Sequence, residues 1–431
     1  MIMKKLNKDL NNFYLFIMGQ FVSQFGSKLT SYGLILWSYK QSGSVLSMSL
    51  LTICYLVPEV LLSFISGSIS DHWNKKKIML IADTIAAFFS FSVIMMLFTG
   101  TLRLEYLYLI NFMLGITDSF QNPASEVMVS ALVTKENYMK TSGIRSFFNS
   151  FTGVFAPIVA TSIYALFGLK VIVMIDLTTF LFAFTTLAFG VKLPQDQKRS
   201  QEKFDVLEQC RFGIRYLLIH KDLLSLILFM GFVNFVASIY NTNLAPMILS
   251  RNGNNDIQLG IVSSMVSIAG LIGSLFVAKV PKNKKKIPMI LNIMTFSFVI
   301  CNGLLGLGRN YYIWTFAVFA GNLFIPILGA NVEYFMRTKV PFEHQGKVFS
   351  ARNTLQYTSI PVGTFLGGLL SDKVFVPYMK RPSVLHSFWI FLVGNSKGSG
   401  IALLFLCIAL IGAVGCCCFR RNKHLLALDE E

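Results

Sequence analysis

Twelve apolar stretches, each about as long as a helix needs to cross a bilayer core, leave this chain almost no way to fold in water. They run roughly over 13–39, 46–69, 78–98, 106–129, 144–167, 171–191, 223–249, 257–278, 287–307, 311–335, 351–370 and 400–419. Hydrophobic residues fill 54% of 431 positions and charged residues only 14%, too few charges to dress a soluble surface. The sequence predicts an all-α membrane protein of twelve transmembrane helices.

A charge pattern occurs twice in that frame. Glu126, Val133, Glu136 and Arg145 recur 207 positions later as Glu333, Val340, Glu343 and Arg352. Copies six helices apart lie the same way up, so the pattern predicts two six-helix bundles related by a parallel pseudo-repeat, as in many solute carriers. The bundles are expected over 1–191 and 223–431, joined by the polar linker 192–222. Within the linker, Phe204, Leu207, Phe212, Tyr216 and Ile219 recur at helical spacing with Lys203, Arg211 and Arg215 among them. This predicts an amphipathic helix on the inner membrane surface.

The net charge of +17 does not point to nucleic acid, because the bases lie between the apolar stretches and form no aromatic-interleaved patch. With the N-terminus inside, 28 of the 38 Lys and Arg residues fall in cytoplasmic segments, nine fall outside, and Lys28 lies within a helix. The positive-inside rule then puts both termini in the cytoplasm of a multi-pass protein of the cell membrane, in contact with its lipid. The first helix is too long for a signal peptide and is expected to remain as an anchor. The external segment 375–399 contains an apolar run, 385–393, too short to span. The run at 394–400 lacks the spacing of a phosphate-binding loop, so no ATP is expected to bind this chain. None of the seven cysteines has CxxC spacing, which argues against disulfides and zinc, and Cys416 to Cys418 read as small apolar filler. The five histidines lie outside the membrane centre, so neither a metal site nor a histidine relay is expected, and no cofactor is called for. No nucleophile and base occur at a usable spacing, which argues against an enzyme.

Lys28, Glu59 and Asp118 lie deep in apolar spans, where ionisable groups are costly unless paired or wetted. At about 1.5 Å per residue they stand roughly 22, 15 and 20 Å from the inner ends of helices one, two and four. Gln20, Gln24, Lys28 and Ser31 share one stripe of helix one, and Asn111, Asp118, Asn122 and Ser125 share one of helix four. The three ionisable groups are therefore expected to converge on a cavity where one acid exchanges a proton as substrate arrives. The alternative is a static salt bridge that orients the first bundle. Asp83 and Asp176, nearer the faces, read as structural. Polar cavity candidates in the first half are Gln20, Gln24 and Asn149. In the second half they are uncharged: Asn234, Ser238, Asn241, Asn322, Asn353, Gln356 and Tyr357. A charged half beside a neutral one suits proton coupling on one side and contact with an amphipathic substrate on the other.

The duplicated charges sit near the cytoplasmic ends of their helices. Glu126 with Arg145 and Glu333 with Arg352 are expected to form inner-gate contacts, with Asp71 packing near the start of helix eleven. Anchoring of helix ends is the alternative.

The loop Gly67-Ser68-Ile69-Ser70-Asp71-His72-Trp73-Asn74-Lys75-Lys76-Lys77 resembles the signature of the major facilitator superfamily, a Gly, three residues, an Asp and a basic cluster. The lysines read as holding it at the anionic inner surface. At the 207 offset Ala278 replaces the acid. Phe25-Gly26-Ser27 and Leu29-Thr30, the stretch from Phe120-Gln121-Asn122-Pro123-Ala124 to Arg145, and Leu369-Leu370-Ser371-Asp372-Lys373-Val374-Phe375 are similar to the macrolide-efflux branch, which the enterobactin exporters also resemble. The resemblance covers nearly the whole chain. It implies two six-helix bundles, a central cavity with alternating access, and export of a hydrophobic or amphipathic small molecule, macrolide-like or another natural product, coupled to proton entry. The antiporter signature of helix five survives only as Gly153 and Ala156-Pro157-Ile158-Val159-Ala160-Thr161, which leaves uptake, facilitated diffusion and a non-transporting receptor as alternatives.

Overall fold

The computed structural model describes residues 2–133, 138–191, 206–277, 285–341, 344–381 and 385–429, and every regular element among them is helical. Six long helices come first: α1 (Ile2–Ser42), α2 (Val45–His72), α3 (Lys75–Thr99), α4 (Leu104–Leu132), α5 (Tyr138–Phe167) and α6 (Leu169–Gly190). A short α7 (Val206–Ile219) precedes α8 (Lys221–Arg251), α9 (Asp256–Val277), α10 (Lys286–Leu307) and α11 (Tyr311–Lys339). Then come α12 over 345–378, a short α13 (His386–Val393), α14 (Ser399–Arg420) and a terminal turn α15 (Lys423–Ala427). Among the described residues, ten of the long helices are long and apolar enough to cross a membrane. The other two are α1 and α4, whose apolar runs are interrupted by the stripes holding Lys28 and Asp118. These two helices therefore carry the ionisable groups Lys28 and Asp118 within otherwise apolar surroundings.

The chain divides into two compact units, 1–41 with 51–206, and 42–50 with 207–431. In the first, Phe13, Phe16, Met79, Met128 and Leu187 form a fully buried cluster that ties α1, α3, α4 and α6. Asn74 starts α3 by accepting from the Lys77 N–H at 3.2 Å, and Gly100 ends it in the left-handed region at φ 70°. Lys76 is turned away from the lipid-anchoring role expected of it. Its ammonium donates to the carbonyls of Ala188 and Val191, at 3.0 and 2.8 Å, and so caps the end of α6. Lys76→Met is expected to lower stability by about 1–2 kcal/mol, read as a lower thermal unfolding midpoint in detergent. Lys77→Met, at an exposed position one residue further along α3, is expected to change it little.

In the second unit α8 packs along α12, and Asn243, fully buried, donates both to the Ile239 carbonyl of its own helix at 2.9 Å and to Gly367 across the interface at 3.1 Å. Helix α12 runs beyond the expected 351–370, because 370–375 continues it as a π-helical turn. That turn brings Asp372 to the start of α2, where its carboxylate accepts from Ser44 Oγ at 2.6 Å and from the N–H groups of Leu46 and Val45 at 2.9 and 3.2 Å. The first turn of α2, which belongs to this unit, is thereby capped by a charge of the sign its dipole favours.

The linker helix forms, but its rotation corrects the sequence reading. Phe212 and Tyr216, expected to face the membrane, lie instead beside the His344 ring, with centroids 4.9 and 6.1 Å away. The side chains of Lys203, Phe204 and Leu207 fall outside the described residues.

Candidate functional site

Helices α2 and α4 meet at Gly115. A Cβ there would lie 2.1 Å from the Tyr55 carbonyl oxygen and 2.8 Å from Pro58 Cγ, so only glycine lets the backbones approach so closely. Pro58 has no N–H to return to the Cys54 carbonyl, which loosens the α2 ladder beside Glu59. Tyr55 and Glu59 stand four apart on α2, as Asp118 and Asn122 do on α4, and one register therefore sets two bonds. Tyr55 Oη donates to Asp118 Oδ2 at 2.6 Å, and Asn122 Nδ2 donates to Glu59 Oε1 at 3.3 Å. Lys28, exposed on α1, acts electrostatically on both carboxylates. An ammonium, two acids, a phenol and an amide thus share one region of the first unit, where water access would let a proton pass between partners.

Two further acids of this unit are held by neutral donors. Gln121 Nε2 donates to Asp83 Oδ1 at 2.7 Å. Ser27 and Ser90 each donate to Asp176 at 3.2 Å, which joins α1, α3 and α6. Of the polar candidates on α1, Gln24 is exposed and Gln20 is buried; Asn149 on α5 is exposed. Sequence reasoning missed Tyr55 and Gln121 as partners. Tyr55 was detectable as the residue one helical turn before Glu59.

In the second unit Asn241 and Tyr357 are exposed, while Ser238 and Gln356 are buried in helix packing. Ser238 donates to the Asn234 carbonyl at 2.7 Å, Asn234 to that of Gln356 at 3.4 Å, and Asn322 to that of Val318 at 2.8 Å. The Ser238 and Asn322 bonds lie within a helix and cost little in an apolar environment, whereas the Asn234 bond crosses from α8 to α12. Glu333 is shared: Oε2 lies 3.4 Å from Arg352 Nη1, and Oε1 accepts from Arg337 Nε at 2.7 Å. Arg352 also donates to Asn353 Oδ1 at 3.0 Å. The Arg337 contact, one turn along α11 from Glu333, was not anticipated.

Arg145 is half-buried on α5, but the side chain of Glu126 lies outside the described residues, as do those of Gly67 to His72, Asp71 included. Lys75 is half-buried and Lys77 exposed at the start of α3. On α5, Gly153 and Pro157 are four apart, so the proline leaves the Gly153 carbonyl without its helical partner, and Thr161 Oγ1 donates to the Pro157 carbonyl at 2.7 Å.

The family profile described as Major Facilitator Superfamily matches residues 16–364. Macrolide efflux protein A of Streptococcus pyogenes is 24% identical over 414 residues, covering 95% of this chain and 97% of that protein. A protein of Bacillus subtilis described as the uncharacterized MFS-type transporter YkuC is 25% identical over 285 residues, 63% of this chain and 65% of its own. Among solved structures, the nucleoside transporter NupG superposes with a TM-score of 0.71 at 14% identity, over 96% of this chain and 100% of that one. A bacterial homologue of the iron transporter ferroportin, in its inward-facing state, does so with a TM-score of 0.69 at 14% identity, over 96% and 99%. Both structural likenesses concern the fold alone.

Proposed function

From the premise that this chain belongs to the Major Facilitator Superfamily, we propose that it is a secondary transporter exporting a hydrophobic or amphipathic small molecule, macrolide-like or another natural product, in exchange for protons. The observation that carries the reading is the cluster of Lys28 on α1, Tyr55 and Glu59 on α2, and Asp118 and Asn122 on α4. Charged groups in a span are retained where they carry an ion or a proton. Asp118 is the coupling acid, Tyr55 its hydrogen-bonding partner, Lys28 the competing cation, and Glu59 the second acid. The near full-length similarity to Macrolide efflux protein A supports a large, mostly apolar substrate. The neutral second unit, where Asn241 and Tyr357 stand exposed, would supply contacts to that substrate, and Glu333 with Arg352 an inner-gate contact. Both termini lie in the cytoplasm of the cell membrane, on the side that carries most of the bases.

Purified protein in sealed vesicles, given a macrolide such as erythromycin, is expected to move protons against the drug, read by a trapped pH-sensitive dye and by drug uptake. Drug movement that ignores an imposed proton gradient would make the chain a facilitated-diffusion carrier, a reading favoured by the reduced Gly153 and Pro157 motif. Drug binding without movement would make it a receptor.

A further inference from the structure

Helix α7 is 14 residues long, about 21 Å, and only His220 separates it from the start of α8, so it lies where a span enters the membrane. Its surface divides into two arcs. Gly213 and Leu217 are buried, and Phe212 and Tyr216 are half-buried beside His344, with Tyr216 also 4.2 Å from the His220 ring. The opposite arc holds Arg211, Ile214, Arg215, Leu218 and Ile219, all exposed, and the three aliphatic side chains are 44%, 59% and 68% accessible. Arg211 and Arg215 form one i, i+4 row and Ile214 and Leu218 the next, so grease and positive charge run side by side along the helix.

We propose that this arc docks on the anionic phospholipid of the leaflet entered by α8, with Ile214, Leu218 and Ile219 at the acyl boundary and Arg211 and Arg215 on headgroup phosphates. Charge complementarity selects that partner. Arginine forks match phosphate oxygens, and the aliphatic row is the complement of an acyl boundary but not of a polar protein surface. The face is not the one that amphipathicity alone selects, because the aromatic side of α7 is occupied by its own unit. The inner arc rests on His344, at the start of α12, so a lipid-held α7 also braces the end of the helix that carries Arg352. The proposal needs only that the protein spans a membrane, and it stands or falls apart from the transport reading.

The test places the photoreactive amino acid p-benzoylphenylalanine at position 218 of the full chain. The protein is reconstituted in vesicles of equal phosphatidylglycerol and phosphatidylethanolamine, and its adducts are identified by mass spectrometry. Phospholipid adducts are expected, enriched in phosphatidylglycerol by about fivefold per arginine, with the enrichment lost in R211Q/R215Q. The same probe at Leu181, 62% exposed on α6, should give lipid adducts without headgroup preference in both proteins and so reports that each is folded in the bilayer. Adducts to another part of the chain, adducts without headgroup preference, or no adducts at position 218 while position 181 reacts would each overturn the proposal.

Discussion

Gly115→Ala is expected to disable transport and to lower stability by about 1–3 kcal/mol, although it adds a single methyl group. The obstacle to that methyl is the Tyr55 carbonyl, 2.1 Å from where it would sit, and a backbone oxygen cannot turn aside as a side chain can. The only relief is for α2 and α4 to separate or rotate. Either motion breaks the Tyr55–Asp118 bond of 2.6 Å before any other, because that bond begins at the contact residue itself and a short charge-assisted bond tolerates little lengthening. The measurements are thermal unfolding in detergent and proton-linked drug movement in vesicles. Gly270→Ala on α9 is the comparison: a Cβ there meets nothing within 4 Å, so the better helix former should be neutral or slightly stabilising. If the two variants behave alike, close α2–α4 packing does not hold the site together.

The positions of the helices are legible in the sequence because lipid demands long apolar runs, and even the short helix α13 follows from a run too short to span. The acids in the site are legible for the converse reason, since an unexplained charge in such a run stands out. Their partners are not. Tyr55 and Gln121 carry no charge, and in a chain with 15 tyrosines nothing marks one phenol as a ligand of Asp118 until α2 and α4 are brought together. Lys76 misleads because a basic cluster after a span reads as membrane anchoring, whereas this one lysine finds the bare carbonyls at the end of α6. Asp372 reads as a loop residue because Ser371, Asp372 and Lys373 end the apolar run, yet a π-helical turn carries the helix past them. The rotation of α7 is hidden for another reason. Amphipathicity separates greasy from polar faces, but it cannot say whether grease meets lipid or the protein's own surface, and α7 has apolar residues toward both.

Asp118→Asn separates a moving proton from a static ion pair. Asparagine keeps an oxygen at nearly the same place, so Tyr55 can still donate to it and the α2–α4 contact at Gly115 is untouched. What is lost is the ability to take up and release a proton. If Asp118 is the coupling acid, proton-driven drug movement should fall about tenfold or more, the equivalent of about 1.4 kcal/mol or more of transport free energy. Exchange of labelled for unlabelled drug, which needs no net proton transfer, should continue near the native rate. A static pair gives the opposite pattern. Lys28 would lose its counter-charge while remaining in an apolar span, so folding and exchange would fail together and no selective loss of coupling would appear. Glu59→Gln sharpens the distinction, because the Asn122 amide, at 3.3 Å, holds Glu59 where the Tyr55 phenol holds Asp118. A secondary role for Glu59 requires a smaller loss of coupling than in Asp118→Asn. An equal loss in both variants would mean that the proton belongs to the two acids as a pair, with Lys28 moving between them.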